Sequence, residues 1–398
     1  MFVVHNRQLK RLMLLLALIA ATGFAWICFL QPFSNSSEAV LAEALKAVND
    51  RDVQRIQMAI RRLQSDDKFE SQVIFLNGAR ALFLNRPDLA LREFKAIEPK
   101  DELRIPLLLL TGEALYRTGD LQDAEQCLLL AAEEDHLNAN VHRWLATVYY
   151  DLGTMDKALL HLRLLSEIEP HDFRPHRMRG IIYREFGKND DALAAFFKAA
   201  ELAAKQEDLA DILVSLASVQ MVRKEFKTAL NSLQRCQDSP SVLAARAECW
   251  WNLGDAQRAA EQLDLCERLG DVPANGRRLR ARMLIEEQKA DAAMPILLHL
   301  LEIDASDDET EYLLAMAYQL TNDVALSTQH LEKSESLKSL KAELTTLSQR
   351  AMEHPDDADV RDELAGVCDK LGLIEMARVW RTAAAACRNV PLSQKESP

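Results

Sequence analysis

A small residue recurs every 34 positions through the first half of the chain, at Ala44, Gly78, Gly112, Ala146 and Gly180, and the series continues at Ala217, Ala247, Ala281, Ala315 and Ala365. A second series keeps step with it at Ile56, Ala90, Ala124, Ala158, Ala192, Ala229, Ala259, Ala293, Ser327 and Ala377. A period of this length marks a supersecondary unit that buries its apolar face on copies of itself. Two series per period mean two helices per unit, and the small residues mark where the helices cross too closely for a longer side chain.

The third unit, "HRWLATVYYDLGTMDKALLHLRLLSEIEP", carries Trp144, Leu145, Ala146, Tyr149, Gly153, Ala158 and Pro170. With "LTGEALYRTGDLQDAEQCLLLAAEED" before it and "RGIIYREFGKNDDALAAFFKAAEL" after it, each with a small residue, a turn glycine (Gly119, Gly187) and a second-helix alanine, the chain resembles the tetratricopeptide repeat family. The resemblance covers about Ser37 to Asn389. It implies an all-α fold, a right-handed solenoid of about ten antiparallel helix pairs, used as an interaction scaffold.

Spacing departs from 34 in three places: 37 residues from Gly180 to Ala217, 30 from Ala217 to Ala247 and 50 from Ala315 to Ala365. The first two nearly cancel, which suggests a longer second helix around Ala199 to Ala210 followed by a short repeat. The third leaves a surplus that "KSLKAELTTLSQRAMEH" fills with a helical apolar pattern, so an additional helix is expected near 337–353. The resulting layout is a basic tail at 1–11, a transmembrane helix at 12–30, a linker at 31–36, the solenoid at 37–389 and a polar tail at 390–398.

The transmembrane expectation rests on Leu12 to Leu30, "LMLLLALIAATGFAWICFL", which holds no charge and as a helix would approach the thickness of a bilayer core. Arg7, Lys10 and Arg11 precede it, whereas Glu38 and Glu43 are the first charges after it; that bias places the N-terminus in the cytoplasm and the repeats outside. An uncleaved anchor competes with a cleaved signal peptide and with a buried solenoid helix. The long apolar run and the apolar stub "WICFLQPF" that cleavage would leave favour the anchor.

The chain carries a formal net charge of −13, a poor field for nucleic acid, so none is expected as partner. Its seven cysteines show no C-x-x-C spacing, and neither a metal nor a cofactor is expected. No catalytic motif appears, so the chain reads as a non-enzyme. His136, His142, His171 and His176 are spaced by six and five, which does not put two rings on one helix face. Paired acids such as Glu133 and Glu134, or Asp307 and Asp308, stand where helix N-termini want caps.

In the family that the chain resembles, ligands lie along the inner surface formed by the first helices. Carried over residue by residue, that surface would offer Asn140, Arg143, Thr147 and Tyr150, then Arg174, Arg177, Ile181 and Arg184. Arg278 and Arg282 follow later, and Asp359, Asp362 and Asp369 at the end. Trp251 follows Trp250, and neighbours on a helix point about 100° apart, so one of the two is expected to leave the core for the groove. Thr147 and Ile181 stand where the chaperone-binding members carry asparagine. Arg143, Tyr150, Arg174, Arg177, Arg184 and Trp251 are therefore the expected contacts to a protein or peptide partner, with a glycan or other non-protein ligand as the alternative. The role expected is a membrane-anchored scaffold, such as an assembly factor of an envelope complex.

Overall fold

The computed structural model describes residues 36–97, 101–354 and 357–389. Among them lie twenty α-helices and one short 3-10 turn, without a strand. The chain divides into two compact units, the first ending at Asp120 and the second beginning at Leu121. The first holds α1 (Ser37–Asn49), α2 (Val53–Leu63), α3 (Glu70–Phe83), α4 (Pro87–Lys95) and α5 (Asp101–Thr118). The second opens with α6 (Leu121–Glu134), α7 (Ala139–Asp151), α8 (Met155–Ile168), α9 (Arg174–Glu185), α10 (Asn189–Leu202), α11 (Gln206–Val222) and α12 (Phe226–Leu233). It continues with α13 (Pro240–Asn252), α14 (Ala256–Leu269), α15 (Ala274–Glu286), α16 (Ala290–Ile303), α17 (Asp308–Leu320), α18 (Val324–Glu353), α19 (Ala358–Lys370) and α20 (Ile374–Asn389).

Local chemistry starts these helices. Side-chain oxygens of Ser36, Asp52, Asn138, Ser239, Asp255, Asp307, Asp323 and Asp357 each accept a backbone N–H of the following first turn, which satisfies donors that the helix itself leaves open. Asp307 thus caps α17.

Each small residue of the first series sits in a different helix, and those for which burial is described are shut away, from Ala44 to Ala365. In seven of the ten units the residue sixteen positions later, on the second helix, is a buried leucine or phenylalanine. Where the small residue is Ala (146, 217, 247, 281), the later one is Leu162, Leu233, Leu263 or Leu297, all buried. At Gly78 and Gly180 it is Phe94 and Phe196. A Cβ at Gly78 would stand 2.4 Å from the Phe94 ring, and one at Gly180 would stand 2.7 Å from that of Phe196. At these six crossings volume is conserved, glycine with phenylalanine and alanine with leucine, whereas Gly112 is followed by Leu128 and Ala365 by Arg381 at the same spacing.

Seven positions after each small residue the chain turns through the left-handed region. Gly119, Gly153, Gly187, Gly254 and Gly372 occupy that place in five units, and Arg51, Asn85, Lys224, Gln288 and Asn322 occupy it in the other five, with φ from 54° to 62°. A side chain there is strained. Arg51 has a reason to stay, because its guanidinium donates to both oxygens of the fully buried Glu113 carboxylate at 2.8 and 2.6 Å, where Arg117 also donates at 2.7 Å.

Three expectations are corrected. The surplus near 337–353 forms no separate helix, because nothing between Val324 and Glu353 is Gly or Pro and α18 runs unbroken for 30 residues. The long helix near Ala199 to Ala210 is interrupted: α10 stops at Leu202, and the added length falls on α11 (17 residues), followed by the 8-residue α12. The single-pass membrane assignment does not stand either. No helix among the described residues is long and apolar enough to cross a membrane, and the Leu12–Leu30 segment lies outside those residues.

Within the second unit the late helices return to the early turns. Trp380 of α20, almost fully buried, lies against Gly153, where a Cβ would meet its ring at 3.1 Å. Gln349 of α18 donates from Nε2 to the Phe186 carbonyl at 3.3 Å, across 163 residues of sequence.

Two outcomes follow. Gly254 has φ +84° and open space where a Cβ would go, so Gly254→Ala is expected to lose about 1 kcal/mol through backbone strain alone. Gln288→Gly is expected to gain up to about 1 kcal/mol, less the chain entropy that glycine adds to the unfolded state; urea denaturation of both variants measures this. At the close crossing, Gly180→Ala is expected to cost about 1–3 kcal/mol by overpacking and Phe196→Leu to cost a comparable amount through the cavity. The double variant should recover stability relative to the sum, since it rebuilds the Ala–Leu combination of the neighbouring units. Additive losses would show that the two side chains do not share one space.

Candidate functional site

The first helices of successive pairs place the same offsets on one surface. In the second unit a cleft of about 720 Å³ runs across α11, α13, α15 and the start of α17. Val214, Ser218 and Met221 line it from α11, Ala245, Glu248 and Asn252 from α13, Asn275 and Arg282 from α15, and Glu309 from α17. Counted from the small residue of each helix, Asn275 and Glu309 stand six before, Val214 three before, Ser218, Glu248 and Arg282 one after, and Met221 four after. Asn140, Arg143, Thr147 and Tyr150, and Arg174, Arg177, Ile181 and Arg184, occupy those same offsets on α7 and α9.

Polar side chains of this face mostly bond to the next first helix or the loop before it. Tyr150 donates its hydroxyl to the Glu185 carboxylate at 3.0 Å, and burial together with that carboxylate pushes the phenol up from its ordinary value. Arg143 donates to Glu169 at 2.6 Å and to Asn140 at 2.5 Å. Arg174 donates to Asp172 at 2.8 Å. Burial opposes the Asp172 charge, yet the Arg174 hydrogen bonds hold that carboxyl below the usual range. Arg177 lies 3.9 Å from Asp211. Arg278 pairs with Asp307, Arg278 and Arg282 both pair with Glu309, and Asn275 donates to Glu248 at 3.4 Å.

The expected arginine cluster is therefore largely engaged with acids. Arg184 is the exposed member for which no such bond is formed among the described residues. Neither tryptophan stands free in the groove. Trp250 packs on the cluster of Ala217, Ala229 and Leu233 with the Arg258 guanidinium 4.5 Å above its ring, and Trp251 packs on Ala247, Leu263 and Leu279. Neighbours 100° apart can both be half-buried here because a solenoid helix meets a unit on either side.

Glu248, Asn252 and Asn275 line the cleft without having been singled out in the sequence. The offset rule that selected Arg278 and Arg282 reaches Glu248 and Asn275, once Ala247 is taken as origin for α13 and Ala281 for α15. Burial pushes the Glu248 carboxyl above the ordinary carboxylate range, outweighing the opposing pull of Asn275, Arg278 and Arg282.

The histidine spacing has a structural explanation. The His142 Nε2–H donates to the His136 carbonyl at 2.9 Å, which leaves Nδ1 of His142 to accept from Nδ1–H of His161 at 2.9 Å. Both rings are buried, and burial, then the neighbouring His142 and Lys157, holds His161 down at about 4. Among the described residues no group of three His, Cys, Asp or Glu side chains is disposed to hold a metal.

No family model matches the chain, and no curated protein matches it. Solved structures similar to it include a tetratricopeptide repeat protein from Parabacteroides merdae, at 19% identity and TM-score 0.48, covering 62% of this chain and 98% of that one. Pseudomonas aeruginosa PilF matches at 20% identity and TM-score 0.42 over 53% and 96% of the two chains. Human IFIT1, described as a dimer with PPP-AAAA, matches at 14% identity and TM-score 0.40 over 90% and 92%. All superpose loosely, so the helix-pair repeat rests on this chain's own ladders and turns.

Glu248 supplies the test of the cleft's electrostatics. A carboxyl whose proton is held more tightly folded than unfolded destabilises the fold as pH rises from the unfolded value toward the folded one. Glu248→Gln is therefore expected to raise Tm at pH 7, with the difference vanishing below about pH 4, where both states of the wild type are protonated. A wild type more stable than the variant at pH 7 would mean that the Arg278 and Arg282 charges outweigh burial.

Proposed function

We propose that the chain is a non-catalytic scaffold that holds an extended segment of a protein partner across α11, α13, α15 and α17. The cleft itself carries this reading: a recess of about 720 Å³ offers apolar Val214, Met221 and Ala245 beside Asn252, Asn275, Glu248 and Arg282. Amide side chains can bond both N–H and C=O of an extended backbone, which reads main chain rather than one side chain. A protein ligand is preferred to a glycan because the chain's tryptophans at this face pack on the core rather than offering flat platforms. The resemblance to tetratricopeptide repeats supports the same face. No residue set for bond-making chemistry accompanies it, so the reading is of a binding surface.

A photo-crosslinking amino acid at Asn252 in producing cells should capture a discrete protein partner, whereas one at Phe197, exposed on the second helix α10, should not. Arg282→Glu places a carboxylate between Glu248 and Glu309 and is expected to reduce capture at Asn252 about tenfold or more, with helicity unchanged; Lys198→Glu on α10 should leave it intact. Equal capture from both crosslinker positions would sink the assignment of the groove.

A further inference from the structure

The first unit carries a second cleft, made by different helices. It occupies about 460 Å³ among α2, the end of α3 and the start of α4. α2 and α4 are second helices of their pairs, so this recess does not belong to the first-helix face described above. Its apolar part is open to water: Met58 is 52% exposed, Leu84 53% and Leu89 39%. Three guanidinium groups accompany it, from Arg61, Arg80 and Arg86, and no Asp or Glu lines it.

These arginines differ from Arg51, Arg55 and Arg117 of the first unit. Arg51 and Arg117 share the buried Glu113, and Arg55 is bonded to Asp52 at 2.7 Å. Arg80 donates to the neutral Gln57, and Arg61 and Arg86 form no side-chain hydrogen bond or ion pair among the described residues. On a chain with net charge −13, three cations without an acid around an exposed apolar floor form a local field opposite to that of the whole molecule.

We propose that this cleft is a docking site for an acidic, leucine-bearing helical segment of a partner protein. The apolar side chain enters between Met58, Leu84 and Leu89, and flanking carboxylates bond to Arg61 and Arg86. Two features choose this occupant. Guanidinium forks bond carboxylates two-pronged, and burying the apolar floor requires a ligand with an apolar side chain, which a phosphate backbone does not bring. The net negative charge of the chain also opposes a long polyanion. The site is separate from the groove of the second unit, so either assignment can fail alone.

The probe is a synthetic helical peptide with Leu at i and i+4 and Glu at the flanking positions, titrated by fluorescence anisotropy into the full chain. A Gln-for-Glu copy and a single-stranded oligo(U) serve as comparators. The Leu/Glu peptide is expected to bind, the Gln copy to bind at least about tenfold more weakly, and oligo(U) not to compete. Arg61→Glu with Arg86→Glu should abolish binding, and Leu84→Ser should weaken it about tenfold with all arginines in place. All three residues are exposed, and thermal unfolding of each variant checks that the fold is kept. Absence of binding by the Leu/Glu peptide, equal binding of the Gln copy, competition by oligo(U), or full binding by the double charge variant each overturns the proposal.

Discussion

Everything in this chain depends on how closely two helices of a pair can approach. The small residue on the first helix and the bulky one sixteen positions later act as one object, because the space that a missing Cβ leaves at Gly78 or Gly180 is filled by a phenyl ring from Phe94 or Phe196. With alanine at the crossing, as at Ala217, a leucine is enough, and Leu233 is fully buried there. This exchange keeps the pairs at Gly78, Ala146, Gly180, Ala217, Ala247 and Ala281 similar in spite of their different compositions. The left-handed residue seven positions on brings the chain back at the same place each time, whether or not it is glycine. A unit can then stack on the next without a core of its own.

The groove is a consequence of that regularity rather than an addition to it. Once the crossing residue is fixed, positions six and three before it and one and four after it fall on the open face of the first helix. Those offsets carry Arg143 and Tyr150 on α7, Arg177 on α9, and Arg278 and Arg282 on α15, and each bonds forward to an acid about one repeat on. Such pairs, partly exposed, contribute little stability. Their effect is on the charge of the surface, since each guanidinium already has an acid in place beside it. Around Glu248 the balance is different, because burial makes its charge costly.

The sequence displays the ladder, the helix pairs and the positions that share one face of the first helices, because each follows from a fixed period and a short list of small residues. It is less informative where backbone conformation does not need a special residue. Arg51, Lys224 and Gln288 turn the chain as Gly153 does, yet nothing in their chemistry marks them. Helix length at 199–233 and 324–353 was also hidden, since an apolar helical pattern does not say whether one helix or two carry it. The arginines at Arg143, Arg174 and Arg177 are legible in the sequence, but their pairing with acids is not. Their partners are Glu169 and Asp211 further along the chain and Asp172 just before Arg174, and a composition count does not reveal such pairing. Glu248 was missed for the opposite reason: a single acid on an acidic chain attracts no notice until its burial is known.

A stack of repeats would ordinarily pass strain only to its neighbours. The second unit departs from that, for Trp380 seats against Gly153, and Gln349 reaches the Phe186 carbonyl. Both early partners are at the turns where the chain passes from first to second helix, so any side chain at Gly153 would be opposed twice, by its positive φ and by the tryptophan ring. These contacts tie α18 and α20 to the turns after α9 and α7, many repeats away in sequence. The cleft on α11, α13, α15 and α17 lies in the stretch of chain between those two regions. Widening it without breaking either contact requires the intervening pairs to share the displacement, whereas releasing Trp380 would free one end. The second unit is therefore not a stack of neighbour contacts alone, because its last helices also meet the turns after α7 and α9.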